Sequence, residues 1–137
     1  MTPFLLFLGG GLGTVARYGL NGFVTQRWPF AATFPLGTMI VNVSGCFVIG
    51  FLAAVGDPSL GRAWLRPHWR DFLAIGFCGG YTTFSSYGIQ TLDLARDGEW
   101  LYVAGNVIGS NALGLLAVFL GRAFGLWLQS KFHGGSL

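Results

Sequence analysis

The chain has 137 residues, 53% of them hydrophobic and 9% charged, with a formal net charge of +3. A soluble domain carries about 25% charged residues, so a water-soluble globule is excluded and lipid must solvate most of the outer surface. The positive charge gathers at one segment, Arg62, Arg66 and Arg70; that suits a membrane surface and gives no support to nucleic-acid binding.

Charge-free windows at 34–56, 72–92 and 101–121 each reach the roughly 20 residues that span a bilayer as helix. A fourth apolar run at the start is interrupted by Arg17. The first expected span covers about 3–24. Nothing basic precedes Phe4, so it reads as a retained helix rather than a cleaved signal. Arg17 lies about two-thirds along it and either faces a polar interior or snorkels to the interface. The second span covers about 34–55 and holds Asn42, Ser44 and Cys46, with Asp57-Pro58 just past its end. The third covers about 72–94, with Asp71 where an N-cap is wanted. The short turn Arg96-Asp97-Gly98-Glu99 then makes the fourth span, about 100–128, an antiparallel neighbour of the third. The glycine-rich tail from Phe132 is expected to fray. The whole reads as one four-helix transmembrane domain over 1–137, an all-α membrane protein.

With four spans, Arg62, Arg66, Arg70, Lys131 and Arg122 share one side, against Arg17, Arg27 and Arg96 on the other. By the positive-inside rule that bias is weak and permits insertion in both orientations. Glycines recur four apart at Gly9/Gly13, Gly76/Gly80, Gly105/Gly109 and Gly121/Gly125. In lipid such pairs let helix backbones meet closely.

The segment with chemistry is Gly79-Gly80-Tyr81-Thr82-Thr83-Phe84-Ser85-Ser86-Tyr87. Two adjacent glycines each weaken a helix by about 1 kcal/mol relative to alanine. Unpaired polar groups at mid-bilayer depth cost several kcal/mol. The segment therefore predicts a third helix broken mid-membrane, with carbonyls and hydroxyls turned toward protein, water or an ion. The alternative is that the hydroxyls bond back to their own helix carbonyls. Asn42, Ser44, Asn106, Ser110 and Asn111 are the other intramembrane polar groups, each serving as interhelical glue or as pore lining. No Asp or Glu falls inside a span away from its ends, so amide, hydroxyl and guanidinium donors dominate. Donors without carboxylates favour a small anion of strong hydrogen-bond acceptance. Cys46 and Cys78 have no metal-ligand spacing and read as free thiols. No nucleophile–base or metal constellation appears, so an enzyme is not expected.

The run 76–85 resembles the third-helix signature of the Fluc/CrcB fluoride channels. Residues 37–45 resemble that family's second-helix motif, and residues 10–18 resemble its first. Order, spacing, length and the four-span plan agree, so the resemblance covers nearly the whole chain.

The resemblance implies a passive channel in the bacterial cytoplasmic membrane that exports fluoride and confers fluoride resistance. It implies an antiparallel, dual-topology dimer with two pores along its interfaces. It also implies a structural Na+ at the dimer centre, held by backbone carbonyls of Gly79 and Thr82, where a hard cation would find oxygen ligands. The family's two pore phenylalanines correspond to Phe84 and Tyr87, the second a departure that keeps the ring edge and adds a hydroxyl. Asn42 corresponds to a direct fluoride donor and Arg17 to a first-helix arginine of the vestibule. Thr83 and Ser86 join the pore candidates. Gln90 stands where a glutamate is frequent. Gly114 stands where a pore serine is frequent, leaving Ser110 and Asn106 to supply the polar track. Two alternatives accompany this reading. One is half of an obligate heterodimer with a paralogue. The other is a small dual-topology multidrug exporter, which would need an embedded glutamate.

Overall fold

Proline and glycine set the boundaries of a chain that is otherwise helical. The structure is a computed structural model that describes residues 2–58 and 64–133; Arg62 and residues 134–137 of the tail lie outside the described residues. Helix α1 spans Thr2–Arg27. It is followed by a single 3₁₀ turn, Pro29–Ala32, opened by a proline whose missing N–H costs nothing there. Helix α2, Leu36–Val55, starts after Pro35 and stops at Gly56. Helix α3 covers 67–81 and α4 covers Phe84–Arg96. Helix α5, Trp100–His133, is 34 residues long. Between α4 and α5 the chain reverses on Gly98, whose φ of 78° is the one left-handed value among the described residues. Gly98 N–H donates to Ala95 O at 3.2 Å and Glu99 N–H to Leu94 O at 2.9 Å, which satisfies the last carbonyls of α4.

The start of α3 corrects the sequence reading. Asp71 is not its N-cap: the helix begins at Pro67 with Arg66 extended before it. Proline at the first helical position is pre-organised for that place. Asp71 instead lies inside the helix, 3.7 Å from the Arg70 guanidinium. It also opens a wider π-helical stretch, Asp71–Phe77, before regular winding returns at Cys78–Tyr81.

Glycine decides the helix contacts. On α1 and α3, Gly9 faces Gly76 and the Phe72 carbonyl, Gly13 faces Phe77 and Tyr81, and Gly80 faces the Gly10 backbone. A Cβ at Gly80 would stand 2.9 Å from Gly10 Cα, with backbone rather than a mobile side chain in its way. Helix α5 runs parallel to α2, with Gly109 near Met39, Gly121 against Phe47 and Phe51, and Gly125 against Ala54. Gln129 Nε2 donates to Ala54 O at 3.3 Å at that end. The buried core includes Val24, Val41, Leu52, Ala54, Leu94 and Ala117, while Phe7, Tyr18, Leu101 and Phe119 point outward.

Gly80→Ala should therefore force α1 and α3 apart and destabilise the fold by about 1–3 kcal/mol. Gly11→Ala, where nothing lies within 4 Å, should be neutral. Thermal unfolding in detergent checks both; equal midpoints for the two variants would contradict this packing.

Among the described helices, two are long and apolar enough to cross a membrane, Leu36–Val55 and Trp100–Phe132. Helix α1 is long enough but carries Arg17, Arg27 and several polar residues. The run 67–96 is interrupted before it reaches that length.

Candidate functional site

The interruption is two residues long. Thr82 (φ −78°, ψ 159°) and Thr83 (φ −152°, ψ 112°) are extended, and helix resumes at Phe84. Extended residues between helices strip the flanking peptide groups of their regular partners. An unbroken helix would give the Thr83 N–H to the Gly79 carbonyl. Here it goes to Asn42 Oδ1 at 2.8 Å, and Asn42 Nδ2 donates back to Thr83 O at 3.1 Å. The asparagine of α2 thus grips Thr83 by both its polar groups, and the Gly79 carbonyl loses its helical donor. Asn42 Nδ2 keeps a second proton for another acceptor.

The hydroxyls divide between local and long-range duties. Thr82 Oγ1 donates to Cys78 O at 2.9 Å, the back-bonding alternative. Thr83 Oγ1 caps α4: it accepts from Ser86 N–H at 3.1 Å and donates to Ser86 Oγ at 3.0 Å. Ser44 Oγ pairs with Tyr81 Oη at 2.8 Å, tying α2 to the end of α3. Phe84 and Tyr87, one turn apart on α4, have ring centroids 5.4 Å apart at 43°. Phe84 is 82% exposed in the single chain.

A cavity of about 430 Å³ opens beside the break, lined by Asn42, Gly79, Thr82, Thr83, Phe84, Tyr87, Ser110 and Asn111, among others. All of these except Asn111 are residues that the sequence marks out for the pore or for carbonyl ligation; Asn111 stands out there only as a polar group of the fourth span. A second cavity of about 250 Å³ shares Thr83 with the first and has Arg17, Ser86 and Gln90 in its wall. No acidic residue is among the residues lining either cavity. Gln90 Oε1 is buried with no hydrogen-bond partner among the described residues, an acceptor that water in the cavity would satisfy.

Asn106 is elsewhere. It is 1% exposed, with Nδ2 donating to Thr91 Oγ1 at 2.8 Å and Oδ1 accepting from Ser110 Oγ at 3.2 Å. Thr91 Oγ1 continues the chain of bonds to Tyr87 O at 2.7 Å. Asn106 joins α4 to α5 from inside and is not itself in either cavity lining, whereas Ser110, one turn on, lines the larger one.

Sequence reasoning does not find two relations. The partner of Asn42 is backbone, which no side-chain motif announces. Asn111 meets Tyr87 Oη at 3.4 Å, 24 residues away in sequence. Its only signal is an amide in a charge-free window. Cys46 and Cys78 are free, as expected, and both line the larger cavity.

The hard-cation reading has a physical basis in the same place. The Gly79 carbonyl is freed by the break, and Gly79 is exposed. An oxygen-only donor set of this kind fits Na+ and suits no soft metal.

Residues 4–122 match the family described as CrcB-like protein, Camphor Resistance (CrcB). A fluoride-specific ion channel FluC of Opitutus terrae is 48% identical over 123 residues, covering 90% of this chain and 91% of that protein. The protein of the same name from Paramagnetospirillum magneticum is 45% identical over 122 residues, 89% of this chain and 93% of its own. That of Rhodospirillum rubrum is 43% identical over 122 residues, 89% and 92%. These relatives are named as channels, not enzymes or multidrug exporters. The broken third helix, its asparagine clamp and the extent of these matches together establish that the chain belongs to the CrcB/FluC family of membrane proteins.

Proposed function

We propose that this chain is a passive, fluoride-selective channel of the bacterial cytoplasmic membrane, in which all four helical segments cross the bilayer and the third breaks at mid-depth. Two oppositely inserted copies pair, and the weak charge bias between the two ends suits that dual topology. Weakly acidic hydrogen fluoride crosses lipid uncharged and ionises in the cytoplasm. The channel returns the anion down its electrical gradient, which is resistance without chemical work.

The observation that carries this reading is the clamp of Asn42 on Thr83. It fixes an extended break beside the Phe84 and Tyr87 rings and leaves one amide proton of Asn42 for the passing ion. Aromatic ring edges carry the positive end of the quadrupole and tolerate an anion. Ser110 lines the same cavity with a hydroxyl. Thr83 and Ser86 form the wall toward Arg17, whose charge would draw anions to the vestibule. Asn106 holds the α4–α5 seam behind this track rather than lining it. Gly79 and Thr82 would hold a structural Na+ through their carbonyls; when bound, it contributes fixed positive charge near the dimer axis. A homodimer is the simpler assembly. Tyr87 in place of a second phenylalanine favours, as the second reading, one half of a heterodimer.

Expression in a bacterium lacking its own fluoride exporter tests the proposal. Growth should be restored in millimolar fluoride and should be unaffected in chloride. No restoration from a chain verified in the membrane would contradict the self-sufficient channel, and restoration only with a paralogue would favour the heterodimer.

A further inference from the structure

The hydroxyl of Tyr87 has an amide partner on the neighbouring helix. Asn111 Nδ2 has two protons. One goes to Val107 O at 2.7 Å within its own helix, and the other reaches Tyr87 Oη at 3.4 Å. An oxygen that accepts on one side directs its own proton to the other. Both residues line the cavity that contains Asn42, Phe84 and Ser110. The Tyr87 ring lies against Phe84, centroids 5.4 Å apart, and its backbone carbonyl accepts from Thr91 Oγ1 one turn on.

We infer that Tyr87 Oη is a hydrogen-bond donor to the permeating anion, aligned by Asn111, and that this pair sets the affinity and the fluoride-over-chloride discrimination of the pore. The inference rests on the channel reading and deepens it. Fluoride is the strongest hydrogen-bond acceptor of the halides. A site that offers one more oriented O–H gains more with fluoride than with chloride, because the larger ion accepts weakly and spreads its charge. A hydroxyl accepting from an amide is polarised and donates more strongly in turn. Asn111 touches the ion only through this phenol, so it is a positioning residue. Of the nearby donors, Ser110 Oγ gives its one proton to Asn106 Oδ1, whereas Asn42 Nδ2 keeps a proton beyond its bond to Thr83 O.

The test is fluoride efflux from liposomes holding the full chain, measured over a range of fluoride concentrations with a chloride comparison. Tyr87→Phe keeps the ring and should raise the half-saturating fluoride concentration about tenfold, the worth of one hydrogen bond to a charged group. The fluoride-to-chloride ratio should fall by a similar factor. Asn111→Ala should shift the same quantities about threefold. In the Tyr87→Phe background it should add less than about twofold, because its target is gone. A structural role for Asn111 predicts the contrary, an equal effect in both backgrounds, and that result would overturn the pairing. Unchanged half-saturation and selectivity in Tyr87→Phe would overturn the donor role while leaving the channel intact. Absence of fluoride flux from the wild-type chain would overturn the channel reading itself, and the inference with it.

Discussion

Asn42→Asp should reduce fluoride flux by about a thousandfold while leaving the protein in the membrane. Two effects add. Aspartate still accepts from the Thr83 N–H but cannot donate to Thr83 O, so one side of the clamp is lost. An orphaned carbonyl costs about 1–3 kcal/mol. The larger effect is charge. At about 4 Å and an effective dielectric near 20, like charges repel by about 4 kcal/mol, roughly three factors of ten in occupancy. Asn42→Ala separates the two: it removes the clamp without adding charge, and its loss should fall between the wild type and the aspartate variant. The readout is a fluoride electrode outside proteoliposomes, with size-exclusion elution as the check on assembly. Flux within twofold of wild type in Asn42→Asp would remove this residue from the ion path.

Phe84 presents the opposite balance. Its ring is 82% exposed in the single chain and therefore holds little of the fold together. Truncation at such a site usually changes stability by less than about 0.5 kcal/mol. The expected functional loss is large, at least about tenfold in flux for Phe84→Ala, because the pore loses an anion-tolerant ring edge. Phe84→Leu keeps most of the volume without the quadrupole and should lose nearly as much. If the leucine variant conducts like the wild type, the ring acts only as a hydrophobic wall. If both variants unfold, the ring is part of the core and not of the pore.

These effects centre on a break that local sequence largely announces. Gly79 and Gly80 weaken the helix, whereas the capping of the next helix by Thr83 appears only in the structure. The backbone leaves helical geometry within that run, at Thr82 and Thr83. Pro67 is an equally local signal for the start of α3, and giving Asp71 the cap overlooks it; a first-turn proline outranks an aspartate already inside the helix. The π-helical winding of Asp71–Phe77 has no such signal. It accompanies the contact of Gly9 with Phe72 and Gly76, a relation between distant segments.

The same distinction separates the polar residues. Asn42, Ser110 and Asn106 look alike in sequence, each an amide or hydroxyl in an apolar helix. Their duties follow from neighbours contributed by other helices. Asn42 meets the backbone groups of Thr83 at the break. Asn106 meets Thr91 and is sealed. Asn111, adjacent to Ser110 but about 100° around the helix from it, meets the Tyr87 phenol. Periodicity assigns a face to each residue, and only the packed structure identifies what that face meets.

The most direct measurement is fluoride efflux from liposomes that contain this chain and no other protein, followed beside chloride efflux under the same imposed potential. The account predicts rapid fluoride release from vesicles holding even a single dimer, with chloride retained. Vesicles that retain both ions, with the protein shown to be dimeric and fully inserted, would contradict a channel formed by this chain alone, and equal release of the two anions would contradict its selectivity.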